Sequence, residues 1–420
     1  MVPNGWEVKN LEDVVSKTRK ITYGIVVPGP YEPNGNLMIR AKDYSFGWQP
    51  IESIYRVSDK MHQSYKRSQV RKGDVLLTIV GSIGNTAIVP EDLEGANITQ
   101  QTARLSFDEH DANFFYSIMS SKIGKKEIYR YAKSGVQPSL NLADIAKFKV
   151  PVPPLPEQQK IAKILSTWDK AISTTERLVE NSTQQKKALM QQLLTGKKRL
   201  LDESGKRFDG EWEETALIDT ADSKKYSFTG GPFGSDLKSS DYSTTGVRII
   251  QLQNIGDGCF NNGYKIYTTE EKADQLISCN IYPNEIIISK MGDPVARATL
   301  IPDFHSRYLM ASDGIRLAVN KSKYDTNFVL ETINSSAFRG IALSKSTGST
   351  RRRIGLTDLK NITFNCPALP EQQKIATVLT NADKEIELLE QQLADLQQEK
   401  KALMQVLLTG KVRVVVDGKG

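Results

Sequence analysis

The feature that most constrains this chain is a segment of 43 residues that occurs twice. The first copy begins at Leu155 and ends at Lys197, and the second begins at Leu369 and ends at Lys411. The offset is 214 residues throughout, without a gap, and more than half of the aligned positions are identical. Solenoid repeats have periods of roughly 20–50 residues. An offset of this size instead indicates a duplicated unit made of a domain and a helix.

Each copy is predicted to form one long helix. Pro156 and Pro370 suit the first helical position, where a missing N–H costs nothing. Gly196 and Gly410 suit the position just past a helix C-terminus. About 40 helical residues would span about 60 Å. This is far longer than an ordinary core helix, which averages about 11–12 residues.

An apolar residue recurs at alternating intervals of four and three in the second copy, which is the coiled-coil pattern. The first copy keeps the same register, but its seam is weaker and includes Thr175, Ser182 and Lys186. Two such helices in one chain are expected to pack against each other. The predicted seam consists of Ile161, Leu165, Trp168, Ile172, Leu189 and Leu193 in the first copy and of Ile375, Leu379, Ile386, Leu389, Leu393, Leu396, Leu403 and Leu407 in the second.

The remaining sequence divides into two globular units of mixed α and β character. Each shows short apolar runs typical of strands, and each has one segment of helical periodicity, at 111–131 and at 327–343. The fold class is therefore predicted as α+β. The predicted domains are a first globular unit at 1–152, a first long helix at 153–196, a linker at 197–210, a second globular unit at 211–366, a second long helix at 367–410 and a tail at 411–420.

The two ends of the chain together resemble its central linker. The tail at 409–414 resembles the start of the linker at 195–200, and the sequence around Trp6 resembles that around Trp212. The chain is therefore predicted to have a circular organisation. Its termini should lie close together, and a pseudo-twofold axis should cross the long helices.

Composition and motifs argue against catalysis by this chain. No GxxxxGK[ST] phosphate loop, GxGxxG fingerprint or Asn/Asp-Pro-Pro-Tyr/Phe tetrapeptide occurs. His62, His110 and His305 lack HExxH spacing, and three scattered cysteines form neither a disulfide framework nor a zinc motif. No apolar run approaches the 18 residues of a membrane span. A reducing cytoplasm is expected, and no metal or cofactor is predicted in this chain.

The remaining candidate function is recognition of nucleic acid. A net charge of +7 permits such a partner without demanding it. Arginine can grip a phosphate or pair with guanine, and hydroxyl groups suit phosphate oxygens. An ordinary solvated loop is the alternative. The candidate DNA-binding residues are Lys224, Lys225, Lys345, Ser349, Thr350, Arg351, Arg352 and Arg353 in the second unit and Lys133, Ser134, Gln137, Ser139 and Asn141 in the first.

Three stretches resemble the DNA-specificity subunits of type I restriction–modification systems. They are LPEQQKIA at 155–162 and 369–376, KKALMQ-x-LLTGK at 186–197 and 400–411, and TGGPFGSDL at 229–237. The first unit has only a variant of the last stretch, around Tyr23-Gly24-Ile25 and Pro28-Gly29-Pro30. The resemblance covers essentially the whole chain.

This resemblance implies a division of labour. Each globular unit would be a target-recognition domain that binds one half of a bipartite sequence in double-stranded DNA. The long helices would form an antiparallel coiled coil that sets the spacing of the halves. Two methylation subunits, which bind S-adenosylmethionine, would dock along the helices, and two restriction subunits would supply ATP- and Mg-dependent translocation and cleavage. No membrane partner is expected.

Two functions of other classes compete with this interpretation. One is a self-contained DNA methyltransferase or nuclease, which the missing cofactor motifs disfavour. The other is a structural coiled-coil adaptor. Affinity for DNA that falls with salt would distinguish a DNA-binding subunit from an adaptor.

Overall fold

The computed structural model describes residues 2–133, 137–349 and 351–416. Its internal contacts divide the chain into two units, Met1–Glu176 with Gln391–Gly420 and Arg177–Glu390. Each unit holds one globular part together with one half of each long helix. Within the described ranges, no helix is long and apolar enough to cross a membrane.

Among the described residues, the first unit begins with nine strands and five short α-helices. The strands are β1 (Glu7–Asn10), β2 (Thr22–Tyr23), β3 (Asn36–Ile39), β4 (Tyr55–Val57), β5 (Val75–Thr78), β6 (Thr86–Ile88), β7 (Asn97–Ile98), β8 (Thr102–Leu105) and β9 (Lys149–Val152). The helices are α1 (Leu11–Val14), α2 (Asp59–Ser64), α3 (Ala112–Ser120), α4 (Lys122–Tyr131) and α5 (Leu142–Ala146).

The main sheet of the first unit has four strands in the order β2-β8-β5-β6, all antiparallel. A three-stranded sheet β4-β3-β7 and the pair β1-β9 complete the unit. Strand β5 is buried along its whole length, and α3 packs on the sheet through Phe114, Phe115 and Ile118. The core therefore lies between this sheet and the helices α3 and α4.

The second unit repeats this plan. Its strands are β10 (Glu213–Ala216), β11 (Phe228–Gly230), β12 (Tyr242–Ser243), β13 (Val247–Ile250), β14 (Tyr267–Thr268), β15 (Asn280–Ile281), β16 (Ile286–Ser289), β17 (Ala298–Leu300), β18 (Tyr308–Met310), β19 (Gly314–Leu317) and β20 (Thr363–Cys366). Its short helices are α7 (Glu270–Gln275), α8 (Thr326–Asn334), α9 (Ser336–Ser344) and α10 (Leu356–Lys360).

The four-stranded sheet of the second unit has the order β11-β19-β16-β17, which matches that of the first. The registers also correspond, since Leu76 lies opposite Arg104 and Ile287 opposite Arg316. A five-stranded sheet β12-β14-β13-β18-β15 and the pair β10-β20 complete the unit. The prediction of two α+β units built on one plan is confirmed.

The prediction of a single helix at 111–131 and at 327–343 is wrong, because each segment forms two helices. The break falls at Ser121 in the first unit and at Ser335 in the second. Each serine has an extended backbone, and its hydroxyl accepts a hydrogen bond from the amide of Ile123 or Phe338. A serine N-cap of this kind stabilises a new helix start, although the apolar period continues across it.

The two long helices, here α6 (Leu155–Leu193) and α11 (Leu369–Leu407), have 39 residues each. At 1.5 Å per residue each spans about 58 Å. The chain leaves both helices through a glycine with a φ of 70°, at Gly196 and at Gly410. This is the left-handed conformation expected just past a helix C-terminus.

The halves of α6 and α11 run antiparallel inside each unit. In the first unit, Glu157 pairs with Arg413 and Asp169 pairs with Lys400. The residue number of the partner therefore falls as the residue number along α6 rises. In the second unit Lys186 pairs with Asp383 at 2.6 Å, and Arg199, just beyond the end of α6, pairs with Glu371 at 2.6 Å, which shows the same antiparallel direction. All predicted seam residues are buried or half-buried, and the most enclosed lie near the helix ends. The predicted antiparallel coiled coil is confirmed.

The repeated motif explains how the globular part of the first unit attaches to α6. The carboxylate of Glu157 accepts hydrogen bonds from the Trp6 indole at 3.1 Å and from the Arg413 guanidinium at 2.9 Å. Next to it, the fully buried Gln158 accepts from the backbone amide of Asp111, the N-cap of α3, at 3.0 Å. Adjacent motif residues therefore bind the N-terminus, the tail and the globular part.

The second unit repeats these contacts with residues 214 positions later. Glu371 accepts from the Trp212 indole at 3.2 Å and twice from Arg199, at 2.6 and 2.7 Å. Gln372 accepts from the amide of Asp325, the N-cap of α8, at 2.9 Å. Here the arginine belongs to the linker, and the tryptophan follows just after it.

The two attachments together confirm the circular organisation. In the first unit the partners of Glu157 come from opposite ends of the chain, and Arg413 also donates to the carbonyl of Asn4 at 2.8 Å. The tail and the N-terminal segment thus make jointly in the first unit the contacts that the linker and the residues just after it make in the second.

Candidate nucleic-acid interface

In the second unit three chain segments meet at one end of the four-stranded sheet, here called the second sheet end. They are the loop 231–237 after β11, the turn 290–297 between β16 and β17, and the hairpin 345–353. Backbone hydrogen bonds fix them to the sheet and to each other. Gly231 of the loop donates to Gly314 of β19 at 2.8 Å, and Gly292 of the turn donates to Arg352 of the hairpin at 3.2 Å. Thr347 and Arg353 exchange two bonds of 2.9 Å across the hairpin.

The hairpin presents most of the predicted cations of this unit to solvent. Lys345, Ser349, Arg351, Arg352 and Arg353 are all exposed, and Thr350 lies outside the described residues. The guanidinium of Arg353 pairs with Asp313 at 3.1 Å. This ion pair orients the Arg353 side chain, half of which stays exposed. The structure therefore brings this predicted group together on one rigid support.

The other predicted cations of the second unit do not join this group. Lys224 and Lys225 are exposed in the turn before Phe228, and thus at the opposite end of β11 from Gly230. The ammonium of Lys225 lies 4.7 Å from the ring centroid of Tyr226, and a side-chain hydrogen bond with Tyr226 raises the pKa of Lys225.

Two residues of the second sheet end were not predicted from the sequence. Phe233, in the loop after β11, has 83% of its surface exposed. Lys290, the first residue after β16, is half-buried beside the hairpin, and its ammonium donates to the carbonyl of Ser312 at 3.2 Å. Burial, with Arg353 nearby, lowers the pKa of Lys290. A phenylalanine within a loop rich in Gly and Pro is a sequence pattern that could have identified Phe233, whereas no sequence pattern marked Lys290.

The first unit has a corresponding first sheet end, built by the same hydrogen bonds. Gly81 donates to Pro138 at 3.0 Å, and Lys133 and Ser139 pair across the hairpin. Of the predicted residues, Lys133, Gln137 and Asn141 are exposed and Ser139 is half-buried. Ser134 lies outside the described residues. The described part of this hairpin carries one cation, so its charge is much lower than that of its counterpart.

Amide side chains replace cations at the first sheet end. Gln100 and Gln101, just before β8, are exposed at the same end of the sheet as the exposed Gln137 of the hairpin. Phe46 is 94% exposed, and its neighbour Ser45 accepts a hydrogen bond from Asn85 of the turn after β5. The two sheet ends thus share a backbone and differ in side-chain chemistry.

A glycine follows the edge strand at both sheet ends because another main chain passes too close for a side chain. A Cβ on Gly24 would lie 1.6 Å from the carbonyl oxygen of Ile98, and one on Gly231 would lie 1.9 Å from that of Ala311. Glycine is the residue that permits such an approach. The Tyr23-Gly24-Ile25 variant therefore occupies the same structural position as the Gly-Gly-Pro-Phe stretch of the second unit.

Two histidines and two cysteines contribute to packing. His62 hydrogen-bonds Asn97 at 2.7 Å, and His110 bonds the buried Gln158 at 3.0 Å; burial lowers the pKa of His110. Cys279 and Cys366 are buried. Among the residues that the structure describes, no group of His, Cys, Asp and Glu is arranged to hold a metal ion.

Comparison with known proteins identifies relatives over the whole chain. The type I restriction modification DNA specificity domain matches residues 3–181 and 248–398. A type I restriction enzyme specificity subunit of Methanocaldococcus jannaschii, MjaX, is 28% identical over 98% of this chain and 95% of its own length. The EcoBI specificity subunit of Escherichia coli is 30% identical over 46% of this chain and 41% of its own length.

Two solved structures share the fold. One is a chain from a structure of a type I R-M system, with a TM-score of 0.58 at 18% identity, covering 98% of this chain and all of that one. The other is the S subunit of a type I restriction–modification system from M. genitalium, with a TM-score of 0.58 at 15% identity and 97% coverage of both chains.

Proposed function

We propose that this chain, which belongs to the type I restriction–modification DNA specificity family, binds a bipartite DNA sequence with its two sheet ends, one for each half. The proposal rests on one observation, which is that the two sheet ends share a backbone arrangement and differ in their side chains. In both units a hairpin meets the end of the four-stranded sheet, and the exposed polar side chains described there are mostly cationic in the second unit and mostly amides in the first. One binding task with two different targets requires this combination.

The chemistry of each sheet end fits a different set of bases. Arginine pairs in bidentate fashion with guanine, and glutamine with adenine. The second sheet end would therefore favour guanine through Arg351 or Arg352, and the first would favour adenine through its glutamines. The exposed Phe233 and Phe46 could contact thymine methyl groups or insert between base steps.

The long helices would set the spacing between the two half-sites, because each is continuous and contributes to both units. In the complete complex, two methylation subunits would dock along these helices and two restriction subunits would join them. S-adenosylmethionine, ATP and Mg would be bound by those partners and not by this chain. The whole complex would act in the cytoplasm.

The assignment of the hairpin is tested by replacing Arg351, Arg352 and Arg353 together with alanine. Each lost bidentate base contact costs about 1–3 kcal/mol, so affinity for the second half-site should fall at least tenfold while the first half-site is still selected. The control removes two exposed cations from the linker, Lys206 and Arg207. Equal affinities for the triple variant and the wild type at moderate salt would refute the assignment.

The alternative of a self-contained enzyme predicts a different result. Purified chain incubated with labelled S-adenosylmethionine and DNA should transfer no label if the proposal holds. Transfer by the pure chain would support a methyltransferase. A structural adaptor would bind DNA with no dependence on salt.

A further inference from the structure

Lys290 occupies a position that the first unit fills with a core residue. Its amide donates to Asp313 at 2.7 Å and its carbonyl accepts from Ile354 at 2.9 Å. In the first unit the amide of Ile79 donates to Gln101 at 2.8 Å, and its carbonyl accepts from Leu140 at 2.9 Å. Ile79 is only 4% exposed and belongs to the main core. A lysine has therefore replaced a buried isoleucine at one sheet end only.

The neighbouring strand has changed to make room for this lysine. A Cβ on Gly230 would lie 2.8 Å from the Lys290 ammonium and 3.3 Å from its Cε. The first unit has Tyr23 at the corresponding place, since Tyr23 pairs with Ala103 as Gly230 pairs with Ile315. The second unit thus has lysine where the first has Ile79, and glycine where the first has Tyr23. Together these two differences leave the Lys290 side chain in a slot between β11 and the hairpin.

Among the described residues, no carboxylate forms a salt bridge with Lys290. The acid whose charge acts on it, Asp313, pairs with Arg353 at 3.1 Å. The hydrogen bond that Lys290 makes within the described residues goes to a main-chain carbonyl, that of Ser312. An ammonium has three donors, and a half-buried cation without an anionic partner is costly. An anion from outside the chain would complete the site.

The depth of the slot decides which part of DNA supplies that anion. Lys290 is half-buried, whereas Arg351 and Arg352 on the hairpin and Phe233 on the adjacent loop are exposed. Base edges lie at the bottom of a groove about 8.5 Å deep, where only protruding residues reach them. The phosphate backbone lies outermost, and a lysine binds it as a point charge.

We propose that Lys290 binds one DNA phosphate at the second half-site, and that the first half-site has no equivalent contact. This inference rests on the proposed DNA-binding function. The contact fixes the position of the backbone against the hairpin, while the protruding residues read the bases. Gly230 is part of the site because it leaves the space that the ammonium occupies.

The test uses the full chain with DNA duplexes that the wild type selects from a random library. Lys290→Met removes the charge and keeps an apolar side chain of similar length, as at Ile79. One lost phosphate contact should lower the slope of log K against log salt by about 0.9, and the affinity near 0.15 M salt by about fivefold. Lys290→Arg should keep the slope, and the matched control Ile79→Met should leave it unchanged.

A second variant acts on the site without removing the charge. Gly230→Ala places a Cβ against the ammonium, so Lys290 must move and part of the slope should be lost. Methylphosphonate replacement of single phosphates should identify one position at which the wild type loses affinity and Lys290→Met loses none.

Three results separate failure of this inference from failure of the proposed function. If the wild type selects no sequence from the library, the proposed function fails. If Lys290→Met keeps the full slope while the wild type selects a bipartite sequence, only the phosphate site is refuted. If the variant loses preference at a single base pair with an unchanged slope, Lys290 contacts a base and the phosphate assignment is wrong.

Discussion

Replacing Glu371 with glutamine should destabilise the second unit by about 2–3 kcal/mol. The Glu371 side chain is 3% exposed and accepts two hydrogen bonds from Arg199 and one from Trp212. Breaking a buried ion pair costs about 3–5 kcal/mol. Arg199 retains 21% exposure, so water can partly replace the lost carboxylate and the cost should be smaller. The shape of the side chain is unchanged, and packing contributes little.

The two copies of the motif provide a graded comparison. Glu157→Gln breaks the corresponding pair in the first unit, where Arg413 is 41% exposed, so its cost should be lower, at about 1–2 kcal/mol. Glu385→Gln, on the exposed face of α11, is the matched control and should stay within about 0.5 kcal/mol of the wild type.

Native-state hydrogen exchange is the appropriate assay because a chain of two units need not unfold in one step. Glu371→Gln should lower the protection of amides in α8 and the N-terminal half of α11, and Glu157→Gln that of amides in α3 and the N-terminal half of α6. If Glu371→Gln changes protection no more than Glu385→Gln does, the motif does not attach the globular part to the helix.

Three further predictions concern pH, connectivity and length. Burial raises the pKa of Glu331, which contacts Lys186, to about 7; the unfolding free energy should therefore fall as pH rises from about 4.5 to 7, and Glu331→Gln should flatten a pH titration by urea unfolding. A chain opened within 202–209, with Gly420 joined to Met1, should fold and select the same bipartite DNA; selection of one half-site alone by this permutant would contradict the circular organisation. One heptad inserted in each long helix, near Thr175 and Leu389, adds about 10 Å, which equals roughly three base pairs; library selection should then return a longer spacer and weaker binding, because the added DNA twist is out of phase. An unchanged spacer would show that the helices do not set it.

The long helices could be predicted because their signals are long and repeated. The repeat located both of them, and the apolar period identified a seam whose members are all buried or half-buried. The sequence alone did not show why the repeated LPEQQKIA motif contains these particular residues. Glu371 and Gln372 look like ordinary first-turn residues until the structure places Arg199, Trp212 and the amide of Asp325 beside them.

Helix breaks and sheet ends were harder to predict. Ser121 and Ser335 interrupt a helical period that continues across them, and only their extended backbone identifies them as caps. At the second sheet end, the arginine cluster was visible as a run of charges. Lys290 was not, because a lysine after four strand residues normally marks the return to solvent, and its burial depends on Gly230, sixty positions earlier in the chain.

The central claim is that this chain specifies a bipartite DNA sequence, and methylome sequencing tests it most directly. A host without other methyltransferases would carry the chain together with its methylation subunit. We expect one methylated motif of two defined parts separated by a spacer of fixed length, and exchange of residues 211–366 for those of a relative should alter one part only. Methylation at a continuous motif, or an exchange that alters both parts, would contradict it.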